Sequence, residues 1–322
     1  MYTKLLLRLS TTSLAAALFA AAGWLAISPV DGASDTHGPT RAAQLPPAWT
    51  PPDWHPAGGE LFALEQMAAT GPDDAPRLRS SAAFVFDMDR GEVLLEHNAD
   101  TIQPVASLTK LVSALALVST DYDLDREICI GAEHYPTRNG ARSKLSTGDC
   151  IQGWDALGAA LVASDNRGAF ALASASDLDL DGFIEQMNTV SAELGMDMSS
   201  WTEPSGLEDE NSSTARDLAR ATMAVAAHPL LSTVSSSTHW DLHYDHRATR
   251  RRFSTNKLSA RKDLGIEAVK TGYTGTAGYC YTTALTTRGG RRVVVTLLGA
   301  NRDRDRYRDV ATLLSWIDGL EA

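Results

Sequence analysis

The feature that most constrains this chain is an apolar stretch that begins at Pro104 and runs to Val118. After Lys110 it consists almost wholly of alanine, leucine and valine, and it therefore predicts a helix that is buried on nearly all sides. A lysine in such a helix is costly, because burial removes water from its charged ammonium. Ser107 stands three residues before Lys110, so the two side chains share one face of the helix and can touch.

This Ser-x-x-Lys pair has the elements of a nucleophile and its base. A serine hydroxyl is a weak nucleophile and needs a neutral base to accept its proton. Burial disfavours the ammonium form of Lys110, and a helix N-terminus favours negative charge that develops at Ser107. Taken alone, the same spacing also fits a first-turn serine beside a lysine whose amine extends into solvent.

Composition restricts the class of protein. A chain of 322 residues that is 43% hydrophobic can bury a full core. Its net charge of -11 argues against nucleic acid as the main partner. We therefore expect a globular protein with an acidic, soluble surface.

The first 33 residues are typical of an export signal. Lys4 and Arg8 precede an apolar run over residues 12–27, and no clear cleavage site follows, so a cleaved signal peptide and an uncleaved inner-membrane anchor both stay open. Residues 34–76 are rich in proline without an apolar period and predict an extended linker. The folded domain is expected over residues 77–322, outside the cytoplasm.

Three cysteines fit an oxidising compartment. Cys129 and Cys150 flank a polar loop and would suit a disulfide between two antiparallel segments, although the pairing cannot be read from sequence. Cys280 lies in an apolar strand pattern and is expected to be a small core residue.

The rest of the chain has strand patterns at both ends and helical patterns between them. Strands are predicted over residues 82–87, 92–96, 266–274, 279–287 and 292–298. Helices are predicted over residues 154–163, 168–175, 181–194 and 214–227, with Ser213 as the last cap, and Asp303 is expected to cap a final helix. This order indicates an α+β fold: an antiparallel five-stranded sheet, covered by terminal helices and interrupted by a mostly helical insertion over about residues 105–235.

A second short motif, Ser164-Asp165-Asn166, follows an apolar helix. From a turn, Ser164 and Asn166 can point the same way, one relaying a proton and the other donating an amide hydrogen bond to a substrate carbonyl. A helix-ending turn with no chemical role is the plain alternative.

A third motif, Lys270-Thr271-Gly272, lies on a predicted strand. Strand geometry turns Lys270 and Gly272 to one face and Thr271 and Tyr273 to the other. Gly272 leaves room for a ligand near the backbone, and the Tyr273 amide can contribute to an oxyanion hole. The plain alternative is an edge-strand lysine beside a glycine bulge.

With these three motifs in this order, the chain resembles the low-molecular-mass penicillin-binding proteins, the serine D-alanyl-D-alanine carboxypeptidases and endopeptidases. The resemblance covers about residues 81–316 and includes Glu203-Pro204-Ser205-Gly206-Leu207 and the stretches 211–219 and 277–280. The Ala-Gly-x-Cys sequence over 277–280 is most similar to the penicillin-binding protein 7 type, which cuts D-alanyl-diaminopimelate crosslinks. The resemblance implies a β-lactamase/transpeptidase-like fold, with residues 77–322 as the catalytic domain.

The resemblance also implies roles for the catalytic side chains. Ser107 would be acylated by a D-alanyl carbonyl and Lys110 would be its base. Ser164 would pass a proton to the leaving amine, while Asn166 would hold the substrate amide. No metal or cofactor is implied.

On the third motif, Lys270 would supply positive potential and Thr271 a hydroxyl on the acyl acceptor's side of the substrate. Gly272 would admit the substrate, and the amides of Ser107 and Tyr273 would form the oxyanion hole. The implied substrate is the peptidoglycan stem peptide, and β-lactams should acylate Ser107 as its mimics. Terminal trimming and crosslink cleavage both stay open.

Two other functions compete with this interpretation. A class A-like serine β-lactamase shares similar motifs, and Glu203 would then imitate its deacylating glutamate. A non-catalytic module that binds murein or penicillin is the other alternative, although all three motifs are intact.

Two remaining clusters have weaker interpretations. His239, His243 and His246 would make a metal site only if they met, and strand geometry turns His246 away from the other two. The arginines that follow are typical of a solvated hairpin tip and, less often, of contact with an anionic substrate; they are Arg247, Arg250, Arg251 and Arg252.

Overall fold

The computed structural model describes residues 75–134 and 143–320. The strands in chain order are β1 (Ala82–Asp87), β2 (Glu92–His97), β3 (Gln103–Pro104), β4 (Glu127–Cys129), β5 (Cys150–Gln152), β6 (Ser212–Ser213), β7 (His239–Leu242), β8 (Arg250–Phe253), β9 (Gly265–Thr274), β10 (Gly278–Thr286) and β11 (Arg292–Ala300). The helices are α1 (Thr109–Val118), α2 (Gly153–Leu161), α3 (Asn166–Ala175), α4 (Leu180–Glu193), α5 (Ala215–Ala227), α6 (Pro229–Ser235) and α7 (Asp303–Gly319).

The predicted five-stranded sheet is confirmed. Its order is β2-β1-β11-β10-β9, and every neighbouring pair is antiparallel. Strands β1 and β2 come from the start of the described chain and the other three from its end, so the helical insertion lies between them in sequence. Strand β9, which carries the third motif, is an edge strand that faces this insertion.

Helices cover both faces of the sheet. On one face, Val310, Leu313 and Ile317 of α7 pack into a core with the inward side chains of β1 and β11. On the other face lies α5, where the Thr222 hydroxyl is 2.7 Å from that of Thr282 on β10. One covering helix is therefore terminal, as expected, and the second belongs to the insertion, because both sheet faces are apolar and each must be buried.

The central helix α1 is buried on nearly all sides, as its composition predicts. It packs against α2, α3, α4 and α5, and residues Thr109 to Leu117 are all buried. The other predicted helices are present, and α6 was not anticipated. This short helix begins at Pro229, whose missing N–H costs nothing in a first turn.

Two predicted helix caps are wrong by one residue. Thr214, not Ser213, caps α5 by accepting a hydrogen bond from the Asp217 amide. Asp303 lies inside the first turn of α7, after Arg302. Ser213 and Thr214 are both acceptable caps, and the backbone conformation selects between them, whereas α7 begins after Arg302 with no side-chain cap bond.

The disulfide left open by the sequence is present. Cys129 of β4 and Cys150 of β5 are bonded and face each other across the two-stranded ladder. Cys280 is a free, buried thiol within β10, as expected.

None of the helices in residues 75–134 and 143–320 combines the length and apolar character needed to cross a bilayer. The predicted export segment over residues 1–33, and nearly all of the predicted linker over 34–76, lie outside the described residues.

Candidate active site

The first motif lies at the entry to the central helix. Ala106 to Leu108 form a tight turn that leads directly into α1, and Ala106 has a left-handed φ of 52°. A non-glycine residue in this conformation is strained, and such strain is held in place by surrounding structure. The turn presents the Ser107 hydroxyl, while Lys110 follows inside the buried part of α1.

Lys110 is fully buried and its amine is held at the nucleophile. The Nζ atom donates hydrogen bonds to Ser107 Oγ at 3.0 Å, to Asn166 Oδ1 at 2.7 Å and to the Ser205 carbonyl at 2.5 Å. Burial lowers the pKa of Lys110 to about 8, although the charges of Glu203 and Asp165 act in the opposite direction. A neutral amine in contact with the hydroxyl is therefore accessible near neutral pH.

The second motif joins α2 to α3 through a strained residue. Ser164 has a φ of 55°, and Asp165 caps α3 by accepting from the Gly168 amide at 3.1 Å. Asn166 is the first residue of α3 and reaches Lys110. The plain helix-ending turn is thus present, and it also brings both polar side chains to the nucleophile.

The third motif supplies a second buried lysine. Lys270 Nζ donates to Ser164 Oγ at 2.7 Å and to the Thr271 carbonyl at 3.0 Å. Burial is the largest cause that lowers the pKa of Lys270 well below its ordinary value, and the cations Lys110 and Arg306 add to it. Each motif serine therefore contacts its own buried lysine.

Gly272 is required by close packing between β9 and the nucleophile turn. A Cβ at this position would lie 2.8 Å from Leu108 Cδ1, 2.9 Å from the Val105 carbonyl oxygen and 3.2 Å from Ala106 Cβ. Two of these distances are shorter than real Cβ contacts allow. The absent side chain is what lets the edge strand approach Ser107.

The three motifs line one open cleft of about 290 Å³. The lining residues are Ser107, Ser164, Asn166, Leu207, Thr255, Thr271, Gly272, Tyr273 and Arg306. Tyr273 is 56% exposed and stacks on Tyr279 with ring centroids 4.2 Å apart. The structure thus brings together all the sequence-predicted site residues, with Lys110 and Lys270 directly behind the cleft.

Arg306 is a site residue that the sequence did not reveal. It is buried in α7 and donates to the Gly272 carbonyl at 3.0 Å, to the Cys280 carbonyl at 2.8 Å and to Asp303 at 2.6 Å. In the sequence it stands in a run of alternating acidic and basic residues, which is typical of an exposed helix face. No local pattern separates this arginine from its exposed neighbours, nor does one indicate Thr255 or Leu207.

Glu203 has a structural role. Its carboxylate accepts from the amides of Ser205 at 2.6 Å, of Gly206 and of Leu207 at 2.8 Å, and from Asn211 Nδ2 at 2.6 Å. These donors occupy both oxygens and fix the loop whose Ser205 carbonyl holds Lys110. The carboxylate therefore shapes the pocket of the base and does not stand free to activate a water at an ester.

The three histidines do not form a metal centre within the described residues. His239 contacts Phe253, His243 contacts Asp155 and His246 contacts Asp245, so the three rings have separate partners. The one group with ligand-like spacing in the described residues is Glu127 with the two cysteines, which are already joined to each other.

The arginine run forms part of the β7–β8 hairpin. Arg251 pairs with Asp241, and Arg247 pairs with Asp149. A hairpin is present as expected, but only Arg247 lies in its connecting loop, because Arg250, Arg251 and Arg252 belong to β8.

Comparison with known proteins identifies this arrangement. A family model described as D-alanyl-D-alanine carboxypeptidase, peptidase S11, matches residues 67–302. The chain belongs to this family. It is a serine DD-peptidase, a hydrolase, and the buried Ser-x-x-Lys pair, the Ser-Asp-Asn turn and the Lys-Thr-Gly strand form its cleft.

Curated relatives of this serine DD-peptidase carry related names. It is 33% identical over 242 residues to the D-alanyl-D-alanine endopeptidase of Pseudomonas aeruginosa, covering 75% of this chain and 78% of the relative. It is 28% identical over 257 residues to the D-alanyl-D-alanine endopeptidase of Escherichia coli, and the match covers 80% of this chain and 83% of the relative.

Solved structures show the same fold. The D-alanyl-D-alanine carboxypeptidase of Mycobacterium tuberculosis matches with a TM-score of 0.70 at 25% identity, covering 79% of this chain and 97% of that one. Penicillin-binding protein D2 of Listeria monocytogenes, solved in a cefotaxime-bound form, matches with a TM-score of 0.66 at 26% identity. The match covers 77% of this chain and 99% of that one. The β-lactamase/transpeptidase-like fold that the resemblance implies is confirmed.

Proposed function

We propose that this DD-peptidase acts on peptidoglycan stem peptides through an acyl-enzyme on Ser107. The observation that carries the proposal is the 3.0 Å contact between the buried Lys110 amine and the Ser107 hydroxyl, inside a cleft completed by both other motifs. Nucleophile and base must lie within hydrogen-bond reach for covalent catalysis of this kind.

Acylation begins with proton transfer from Ser107 to neutral Lys110. The Oγ atom forms a bond to the D-alanyl carbonyl carbon, and the carbonyl becomes an oxyanion held by the amides of Ser107 and Tyr273. Asn166 donates its side-chain amide to the substrate while its oxygen accepts from Lys110. The substrate and the base are thereby positioned by the same residue.

Collapse of the oxyanion breaks the peptide bond. The leaving amine takes a proton from Ser164, whose hydroxyl is held at 2.7 Å by Lys270, and Ser164 regains a proton from the ammonium of Lys110, so that the proton lost by Ser107 ends on the amine. Water then attacks the ester on Ser107 and gives a proton to neutral Lys110, which passes it to the departing Ser107 oxygen, so that the acid is released and the hydroxyl is restored. β-Lactams present a similar carbonyl, so they acylate Ser107, and the ring-opened leaving group remains tethered and slows deacylation.

The leaving side of the substrate is bound by the third motif and by Arg306. Thr271 supplies a hydroxyl that is already paired with Thr255 at 2.7 Å, and Arg306 supplies a permanent cation at the cleft wall. A substrate carboxylate placed here raises the pKa of Lys270, because an opposite charge favours the ammonium form. Lys270 then contributes the positive potential expected of it.

The substrate proposed is the D-alanyl-diaminopimelate crosslink, with terminal D-alanine as the simpler alternative. The endopeptidase names of the two curated relatives support the crosslink. The disulfide supports an extracytoplasmic location, where the cell wall lies and where thiols oxidise. Membrane attachment through residues 1–33 is part of the same proposal.

A direct experiment compares wild type with Ser107→Ala. We expect purified wild type to form a covalent adduct with fluorescent penicillin and to cleave muropeptides, with products identified by mass. Ser107→Ala should do neither. Rapid turnover of nitrocefin without muropeptide cleavage would favour the β-lactamase alternative, and absence of any adduct in wild type would favour the non-catalytic module.

A further inference from the structure

The β7–β8 hairpin leads directly into the cleft and carries an exposed aromatic face with no role in the mechanism above. We infer that this face binds the leaving peptide of a crosslinked substrate, the peptide that bears the amine released on acylation. The inference rests on the proposed function and adds a specificity surface to it. Phe253 is the central residue of this surface.

The hairpin and the cleft are joined by one continuous stripe of side chains. Arg251, Phe253 and Thr255 are exposed, whereas Arg252 and Ser254 between them are half-buried. Within β8 this alternation is that of an extended strand, which turns every second side chain to one face. The strand ends at Phe253, the Ser254 amide still donates to the Thr238 carbonyl, and the chain bends at Thr255. Thr255 lines the cleft, and Phe253, two residues before it, is the large exposed side chain that lies nearest to it in the hairpin sequence.

Phe253 is exposed to an extent that is unusual for a phenylalanine. Its exposed fraction is 72%, the largest among the exposed large apolar residues of the described chain. His239 stands opposite it in the ladder, with ring centroids 6.2 Å apart. Together the two rings form an aromatic surface beside the cleft, and such surfaces mark binding sites more often than scattered residues do.

This aromatic surface is held rigidly. On the inner face of the hairpin, Trp240 and Leu242 are buried, and the Trp240 ring occupies the space that a side chain at Gly158 would fill. On the outer face, Arg251 donates two hydrogen bonds of 2.8 Å to Asp241 across the ladder. A preorganised platform loses little conformational entropy when a ligand binds.

The stripe of side chains lies beside the part of the cleft that binds the leaving side of the substrate. The Thr255 hydroxyl lies 2.7 Å from that of Thr271, the residue assigned to the leaving side. A released D-alanine is one residue, about 3.5 Å long, and it ends near Thr271. Only a longer leaving group extends the further two residues of hairpin, at most about 7 Å, to Phe253.

The test compares three reactions in wild type and in Phe253→Ala. We expect the variant to lose about tenfold in kcat/KM on crosslinked muropeptide dimers, since one partly buried aromatic contact contributes about 1.4 kcal/mol. Acylation by fluorescent penicillin and release of D-alanine from an uncrosslinked pentapeptide should stay within about twofold of wild type. Phe253→Tyr should restore dimer cleavage, because it keeps the ring.

Met198→Ala provides a matched control, since Met198 is an exposed apolar residue that does not line the cleft. It should leave all three reactions unchanged. The inference is overturned if Phe253→Ala slows all three reactions equally, or if it leaves dimer cleavage intact. If wild type cleaves no dimers yet forms the penicillin adduct, this inference fails while the acyl-enzyme on Ser107 stands.

Discussion

The amine of Lys270 lies 2.7 Å from the hydroxyl of Ser164, although the two residues are 106 positions apart in the chain. This contact joins the helical insertion to the edge strand of the sheet. It fixes the Ser164 hydroxyl at the mouth of the cleft, where a leaving amine would emerge. Ser164 reaches this place with a φ of 55°, a left-handed backbone conformation that is unfavourable for a residue with a Cβ.

Ser164 offers a test that separates strain from chemistry. A left-handed residue costs about 1 kcal/mol for a side chain with a Cβ and almost nothing for glycine. We therefore expect Ser164→Gly to be more stable to urea than Ser164→Ala by about 1 kcal/mol. Both variants should lose about 100-fold or more in acylation rate, because neither can transfer a proton.

Equal stability of the two variants would contradict the strained backbone, and full activity in either would contradict the proton transfer. Urea unfolding and stopped-flow acylation measure these two properties independently.

The sequence predicted part of this site for a physical reason. Ser107 and Lys110 are three residues apart on one helix, so local geometry alone places them together. Burial of Lys110 also followed, because the residues after it are almost wholly apolar. The pairing of Lys270 with Ser164 depends on how the sheet meets the insertion, and only the resemblance to a family linked those motifs.

Arg306 marks the limit of prediction from sequence. Its neighbours on α7 include exposed charged residues, and its burial depends on which helix face meets β9 and β10. The two helix caps that were wrong by one residue have a similar cause. Ser213 and Thr214 are both good caps, and the short β3–β6 ladder decides that Ser213 remains in a strand.

The disulfide is expected to support the second motif through a neighbouring loop. Ser143 donates to Asp165 Oδ1 at 2.6 Å, and the Lys144 amide donates to the other carboxylate oxygen. Both donors belong to the segment closed by Cys129 and Cys150. A Cys129→Ser/Cys150→Ser variant should lose about 3 kcal/mol in unfolding free energy and acylate more slowly.

Dithiothreitol provides the control for this prediction. Dithiothreitol should lower the acylation rate of wild type to that of the double variant, and it should leave the acylation rate of the double variant unchanged. If reduced wild type keeps its acylation rate while its melting temperature falls, the loop does not position Asp165 and the disulfide is purely stabilising.

Gly272 is predicted to be intolerant of any side chain. Gly272→Ala forces a Cβ to within 2.9 Å of the Val105 carbonyl oxygen, so β9 must move away from Ser107. We expect a stability loss of about 1–3 kcal/mol and at least a tenfold fall in acylation rate, measured by urea unfolding and penicillin binding.

Gly275 is the matched control, because a Cβ there meets nothing within 4 Å. Gly275→Ala should acylate at the wild-type rate. Normal acylation by Gly272→Ala would show that the close approach of β9 is not needed.

The central claim is that neutral Lys110 activates Ser107, and the pH dependence of acylation tests it most directly. With its pKa lowered to about 8 by burial, Lys110 gains its basic form as pH rises, so the rate should increase about tenfold per pH unit below 8 and level off above it. Stopped-flow rates with fluorescent penicillin between about pH 5.5 and 9.5 should show this rise in wild type. Lys110→Arg should stay inactive throughout, because a guanidinium is not deprotonated. A flat wild-type profile, or wild-type rates in Lys110→Arg, would contradict the claim.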